Sequence, residues 1–230
     1  FGVLTLFSLT CAAMVWGWLP AARHKPKALA AAPAGVGAVI DHLRNPALLA
    51  TFVAGFAVLF SMVATFTYVN FHLSLPPFSL STPQLGMIFL VYPIGAVVST
   101  RSGAIIRRLG RRRAMMLAVA TSCAGLLTTL SPDLTLVLAG LALYVIGVFL
   151  AQSAAMGYVG QAARHAKSTA LGLYVCFYYI GGSVGAVVPG WLWLHAGWLG
   201  CVALILATMS ASALLTWHAW KPAKVVCPAE

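Results

Sequence analysis

The chain has 230 residues, of which 61% are hydrophobic and 7% are charged, and its mean hydropathy is +0.95. A soluble domain carries roughly 25% charged residues, so this composition excludes an aqueous globular fold. The net charge of +11 raises the alternative of a nucleic-acid partner. However, the basic residues cluster between apolar segments, which indicates a lipid bilayer and not nucleic acid as the partner.

Apolar windows separated by polar turns predict seven transmembrane helices, because about 20 apolar residues are needed to cross a hydrocarbon core of roughly 30 Å. We place them at 1–19, 47–73, 84–106, 114–131, 134–160, 169–194 and 198–219. The chain opens within an apolar run, without an initiator Met, a basic region or a small-residue cleavage site. We therefore interpret it as a fragment and not as a signal peptide. The predicted fold class is an all-α integral membrane protein.

The connection at 20–46 is much longer than the others and is rich in Ala and Pro, which is typical of a linker between two membrane bundles. Within it, apolar residues at helical spacing predict a short helix on the cytoplasmic interface: Val36, Val39, Ile40 and Leu43. The predicted domains are the last span of a truncated first bundle (1–19), the linker (20–46), a six-span C-terminal bundle (47–220) and a cytoplasmic tail (221–230).

The loops alternate in charge along the chain. Thirteen of the fourteen Lys and Arg residues fall in the linker, the 107–113 loop, the 164–167 loop and the tail, while the intervening loops contain none. By the positive-inside rule the basic loops are cytoplasmic, which predicts an outside start and a cytoplasmic C-terminus. The seven tryptophans fall near span ends and are predicted to anchor in the headgroup layer: Trp16, Trp18, Trp191, Trp193, Trp198, Trp217 and Trp220.

One basic loop carries a motif, Gly103-Ala-Ile-Ile-Arg107-Arg108-Leu-Gly110-Arg111-Arg112. It resembles the signature loop of the major facilitator superfamily, which runs Gly, three residues, Asp, Arg or Lys, one residue, Gly, Arg, Arg or Lys. The resemblance implies a cytoplasmic gating loop that engages a neighbouring helix in one access state, with Arg107 in the position of the family's acid. Retention of the loop by anionic lipid is the open alternative, and Asp41 is a candidate partner for the loop.

A glycine pattern in the sixth predicted span resembles the antiporter motif of the same superfamily, with Ala186 in place of the family's proline. Its members are Gly172, Gly181, Gly185, Pro189 and Gly190. Small residues four apart let helix backbones approach closely, and proline can kink a helix. We therefore predict a helix-packing role, a hinge role or both for these residues.

The family resemblance places a substrate cavity near the membrane midplane, lined in this half by the spans at 47–73, 84–106, 134–160 and 169–194. Polar and aromatic side chains in these spans are the cavity candidates: Tyr68, Asn70, Tyr92, Tyr144, Gln152, Tyr174 and Tyr178. No Asp or Glu falls in any predicted span, so a proton-binding carboxylate is expected in the missing N-terminal half.

The resemblance implies a secondary carrier that works by alternating access, and we prefer efflux of a small organic compound by proton antiport. Sugar or metabolite uptake by the same fold and a seven-helix receptor are the alternatives. The three acids lie outside the spans and the six His are dispersed, so no enzyme, metal site or cofactor is predicted. The expected partners are a small-molecule substrate, a proton, the bilayer and the missing half.

Overall fold

The computed structural model describes residues 2–18 and 35–220, and every regular element within those ranges is helical. The elements are α1 (Gly2–Trp18), α2 (Val36–Arg44), α3 (Pro46–Ser74), α4 (Thr82–Met87), a 3-10 turn (Ile88–Val91), α5 (Tyr92–Leu109), α6 (Arg111–Thr128), α7 (Leu134–Ala162) and α8 (Lys167–Ala219). The chain therefore has the predicted all-α class. Most of the linker and the tail lie outside the described residues.

The helix α1 falls in a unit of its own, and α2 to α8 form the second unit. α1 is apolar throughout, and its large side chains are exposed, with Trp16 at 88% and Trp18 at 85%. Such a helix is stable only where lipid or another protein covers its surface. The short helix α2 lies inside the predicted linker, and its residues Ala38 and His42 are buried.

Polar residues set several of the helix boundaries. The Asn45 side chain accepts hydrogen bonds from the backbone N–H groups of Ala47 and Leu48, and Pro46 occupies the first helical position of α3, where its missing N–H costs nothing. Asp133 caps α7 in the same way through the Thr135 N–H. Gly110 joins α5 to α6 with φ 77°, a backbone conformation that glycine adopts at little cost.

Among the described helices, four stretches are long and apolar enough to cross a membrane: Pro46–Ser74, Thr82–Leu109, Leu134–Ala162 and Lys167–Ala219. A continuous helix of 53 residues would extend for about 80 Å, far beyond the hydrocarbon thickness. However, Gly197 within α8 has non-helical angles, so the element contains two segments that cover the predicted spans at 169–194 and 198–219. The segment α6 is less apolar because it begins with three arginines.

Close backbone contacts hold the bundle together. α8 packs against α3, where a Cβ atom on Gly181 or Gly185 would collide with the backbone of Phe56 or Phe60. α6 packs against α7 through Gly125, which lies directly against the Tyr144 backbone. Since side chains at these glycines would push the helices apart, close packing depends on small residues here.

Two tryptophans hold helices together, one at each end of the bundle. At the basic end, Trp220 stacks on Tyr158 with ring centroids 4.4 Å apart, and its indole N–H donates to Thr51 Oγ1 at 2.9 Å. At the other end, the Trp198 N–H donates to Thr129 Oγ1 at 3.1 Å. These two side chains are only 1% and 5% exposed, so the prediction that they are headgroup anchors is wrong. Each is a core residue because a hydroxyl on a neighbouring helix satisfies its N–H.

Candidate functional site

A cavity of about 540 Å³ lies on one face of the bundle, between α3 and the segment that leads into α5. Its wall is largely apolar and aromatic, and it includes two of the predicted cavity residues, Asn70 and Tyr92. The lining residues are Leu59, Met62, Val63, Phe66, Thr67, Asn70, Phe71, Phe89 and Tyr92. The lining is of the kind found in sites for small organic molecules, and the depression is open on one side.

Three aromatic rings form one wall of this cavity. The Phe66 ring lies 4.6 Å from Tyr92 and 5.6 Å from Phe89, and Phe89 lies 6.0 Å from Tyr92, measured between centroids. Tyr92 also meets Phe149 edge-on at 6.5 Å, and Gly95 makes room for Phe149, because a Cβ atom there would collide with its ring. The rings therefore support one another as a preformed aromatic surface.

Asn70 is the amide in the cavity wall. Its Nδ2 donates to the carbonyl oxygen of Phe66, four residues earlier on α3. Its Oδ1 is buried and has no hydrogen-bond partner among the described residues. The Phe66 carbonyl oxygen is an acceptor, so the donor end of the Asn70 amide, Nδ2, faces it. The amide oxygen, Oδ1, therefore faces the other way. This unmatched acceptor is enclosed by protein atoms and is not exposed to the cavity.

Three of the predicted cavity residues form a polar line from α8 to α7. The rings of Tyr178 and Tyr174 are 6.2 Å apart. The Tyr174 hydroxyl then donates to Gln152 Oε1 at 2.9 Å. The structure thus brings together residues that are up to 26 positions apart in the chain.

The structure places Tyr68 and Tyr144 in helix contacts outside the cavity wall. The Tyr68 hydroxyl donates to the carbonyl oxygen of Ala186 at 2.8 Å, three residues before Pro189. Tyr144 is fully buried, and its ring lies 6.5 Å from that of Phe66 on α3. Both side chains therefore hold helices against one another and do not line the cavity.

The basic loop is attached to the bundle by Arg111 and Arg112. Arg111 Nε donates to Gln161 Oε1 on α7 at 2.8 Å, and its guanidinium occupies the space beside Gly157, where a Cβ atom would collide with it. The Arg112 guanidinium lies 3.7 Å above the centre of the Trp217 ring, a cation–π contact. The loop thus contacts α7 and α8 of its own bundle.

The remaining three arginines of the loop are exposed. No partner is seen for Arg107, Arg108 or Arg113 within residues 35–220. The structure pairs Asp41 with His165 instead, at 3.9 Å. Asp41 as the partner of the basic loop is therefore wrong for this conformation, because the α2 segment lies against the start of α8.

Some glycines of the motif lie in close helix contacts, and one does not. Gly181 and Gly185 make the close contacts with α3 that the sequence predicts, and Gly190 lies next to the Tyr68 hydroxyl. Gly172 is exposed, and an added Cβ there would meet nothing within 4 Å. The packing prediction thus fails at Gly172 within the described bundle. Gly103 is also exposed, with only the Arg107 side chain nearby.

Sequence reasoning missed the cluster in which α2 meets the loop between α7 and α8. The buried His42 ring stacks on His165 at 5.1 Å and forms a hydrogen bond with the carbonyl oxygen of Ala166 at 3.3 Å. It also missed the apolar cavity wall, including Met62 and Phe89. Met62 and Phe89 are neither polar nor tyrosine, and the clustering of aromatic residues in the sequence is the signal that could have indicated this wall.

The chain is similar in sequence to several proteins that are described as transporters. The chain is 34% identical over 205 residues to YybF of Bacillus subtilis, described as an uncharacterized MFS-type transporter, a match that covers 89% of the chain and 50% of YybF. It is 34% identical over 210 residues to the inner membrane transport protein YnfM of Escherichia coli, covering 91% and 50% respectively. The chain belongs to the major facilitator superfamily.

Another relative of this major facilitator chain is an uncharacterized transporter of Buchnera aphidicola from Schizaphis graminum. It is 31% identical over 175 residues, which cover 76% of the chain and 42% of the relative. No family profile matches the sequence. The chain spans about half the length of the curated relatives it matches. The activity and substrate of the whole protein are therefore matters for proposal.

Proposed function

We propose that this chain is the C-terminal half of a twelve-span secondary carrier that works by alternating access. Residues 1–19 are then the last span of the first bundle, and 47–220 form the second bundle. The observation that carries the proposal is the aromatic cavity on α3 and α5. It lies beside the most exposed span of the bundle: 17% of the most apolar window of Thr82–Leu109 is buried, compared with 61% in Pro46–Ser74.

A span with so little burial is consistent with a surface that faces a second bundle. α5 presents exposed residues along most of its length, and Gly95 and Ser102 are its buried residues. In this arrangement the cavity is completed by the first bundle, and substrate lies between the two. Transport by related proteins supports this interpretation, since the relatives are described as transporters.

The carrier is assigned to the cytoplasmic membrane with its C-terminus in the cytoplasm. The sorting of thirteen of fourteen basic residues to one set of loops supports this orientation. Proton-coupled efflux of a small organic compound is the preferred direction, which the glycine motif of α8 supports. Uptake of a sugar or metabolite is the second candidate. Asp41 lies within the short helix α2 and Asp133 caps α7, so neither acid is in a membrane span, and the proton-binding carboxylate is assigned to the first bundle.

The test is transport by inside-out vesicles that contain the full-length gene product. A proton gradient is imposed, and accumulation is measured for a panel of dyes and metabolites, with vesicles containing this segment alone as the matched control. We expect full-length protein to accumulate at least one compound and an ionophore that dissipates the gradient to abolish accumulation. Accumulation by the segment alone would refute the half-carrier assignment, and gradient-independent accumulation would refute proton coupling.

A further inference from the structure

We propose that Pro93 positions Phe89 and Tyr92 as one aromatic surface of the cavity, and that this surface binds the planar ring system of a small aromatic molecule. Phe89 and Tyr92 together form the aromatic shelf. The inference rests on the proposed function, because it concerns the substrate of the same cavity. It adds the substrate class, the residues that recognise it and the residue that positions them. Three observations carry it: a break in the helix, the alignment of the two rings and the support around them.

The span Thr82–Leu109 is interrupted beside the cavity by a 3-10 turn at Ile88–Val91. In an α-helix, the N–H of residue 93 would donate to the carbonyl oxygen of Phe89. Pro93 has no N–H, and the Phe89 carbonyl instead accepts from the N–H of Tyr92, three residues on. Non-α backbone at membrane depth is tolerated where it is buried in protein or lines a cavity. Pro93 therefore accounts for the turn, and the two residues of the shelf line the cavity at this point.

The 3-10 turn aligns the two rings of the shelf. Side chains three residues apart eclipse in such a turn, and a rise of about 2.0 Å per residue separates them by about 6 Å along the axis. The rings of Phe89 and Tyr92 match both expectations, with centroids 6.0 Å apart and an interplanar angle of 13°. In an α-helix, with about 3.6 residues per turn, the same side chains would diverge by about 60° around the axis. The turn thus places two nearly parallel rings on one side of the helix.

Neighbouring rings hold the shelf in place and leave part of it exposed. Phe66 is 4% exposed and lies 5.6 Å from Phe89 and 4.6 Å from Tyr92, and Phe149 meets Tyr92 edge-on. Phe89 itself is 44% exposed. Side chains that are already held in place lose little freedom when a ligand binds. Because aromatic pairs attract one another beyond the area they bury, the shelf favours an aromatic ligand over a saturated one with the same skeleton.

Equilibrium binding to the purified full-length protein in lipid nanodiscs, without a proton gradient, tests the proposal. The probes are 1-naphthaleneacetamide and its decahydro analogue, which are both uncharged and share one carbon skeleton. The measured quantity is the ratio of their affinities, corrected for partition into protein-free nanodiscs. In Phe89→Leu, the ratio should fall about fivefold against the naphthalene compound, which corresponds to about 1 kcal/mol. Comparison with the wild type cancels what the rest of the cavity contributes to either affinity.

Pro93→Ala tests the positioning role. It restores the N–H of residue 93, so the shelf should lose its alignment and the ratio should fall in the same direction. Affinity for the decahydro analogue should stay within about twofold of the wild type, since that compound gains nothing from ring alignment. Combining Phe89→Leu with Pro93→Ala should lower the ratio little further, because Pro93 acts through Phe89. If Pro93→Ala fails to fold, Pro93→Leu, which also restores the N–H, is measured instead.

Two controls match these variants. Phe177→Leu removes a ring that packs on Phe52 and does not line the cavity, and Pro83→Ala removes a proline in the first turn of α4, where a missing N–H costs nothing. Both should keep the wild-type ratio. An unchanged ratio in Phe89→Leu or Pro93→Ala, an equal fall in the controls, additive effects in the double variant, or no binding of the naphthalene compound would overturn the proposal. Loss of proton-driven transport, with these ratios as expected, would overturn only the proposed function.

Discussion

Trp220 shows at the scale of a single residue how the bundle uses polar contacts inside an apolar interior. It is the largest fully buried side chain of the described bundle, and it stacks on Tyr158 while its N–H bonds to Thr51. Thr51 in turn donates to the carbonyl oxygen of Ala47. One side chain therefore links the beginning of α3, the end of α7 and the end of α8.

Substitution of Trp220 by Phe should destabilise the protein. The change removes the hydrogen bond to Thr51 and leaves a space beside Tyr158, with an expected loss of about 1–3 kcal/mol. The measurement is the thermal midpoint in detergent, followed by size-exclusion fluorescence. Trp191→Phe is the control, since that ring is 66% exposed, and its midpoint should change little. Equal midpoints for the two variants would contradict a structural role for Trp220.

Arg111 depends on the absence of a side chain at Gly157. Substitution of Gly157 by Val should expel the guanidinium and break its bond to Gln161 Oε1, with a loss of about 1–3 kcal/mol from the displaced charged group. Gly160→Val, at a position with nothing within 4 Å, is the control. The measurement is the thermal midpoint of the single variants, of Gln161→Leu and of the double variant.

The effects of Gly157→Val and Gln161→Leu should be less than additive, because both act on the same contact. Fully additive effects would show that Gly157 and Gln161 stabilise the loop independently. No effect of Gly157→Val would show that Arg111 is not seated on α7.

At the scale of helices, the contact between α3 and α8 depends on two glycines. Gly181→Ala places a methyl group against the Phe56 backbone, and overpacking of this kind typically costs about 1–3 kcal/mol. Helix propensity acts in the opposite direction by up to about 1 kcal/mol. The matched control is Gly172→Ala on the same helix, where the methyl group is unobstructed. We expect a lower thermal midpoint for Gly181→Ala and an equal or higher one for Gly172→Ala, and the reverse order would contradict the packing.

The sequence alone predicts the positions of the helices in the bundle well, because apolar length and turn residues depend on local chemistry. The structure places breaks at Gly110 and Gly197, near the predicted span ends. Gly181 and Gly185 lie directly against the backbone of α3. These features follow from residue size and backbone freedom, which are properties of the residue itself.

Other features depend on neighbours that spacing does not reveal. Hydropathy does not distinguish lipid from protein, so the burial of Trp198 and Trp220 was missed. Gly172 fits a motif but faces open space, since a glycine packs only where another helix approaches. Asp41 meets His165, 124 positions away, through the way α2 lies on α8. Two of the seven cavity candidates, Asn70 and Tyr92, line the cavity. The other five do not: Tyr68, Tyr144, Gln152, Tyr174 and Tyr178.

At the scale of the whole molecule, the described bundle has a cavity and a sparsely buried α5 on one side and basic loops at one end. The relatives are about twice as long as this chain. Both facts support a second bundle across the cavity. In such a carrier the cavity wall is reached by water from each side of the membrane in turn, whereas a receptor or a structural bundle has no such requirement.

The most direct test is the reactivity of a cysteine at Thr67, which lines the cavity. The full-length protein carries Thr67→Cys after its native cysteines are replaced by Ala, and a membrane-impermeant thiol reagent is applied to right-side-out and inside-out vesicles. Ala207→Cys, on the exposed side of α8 and expected to face lipid, is the control and should react in neither. We expect Thr67→Cys to react in both preparations. Reaction from one side only would contradict alternating access at this cavity, and reaction from neither would contradict a water-accessible substrate site.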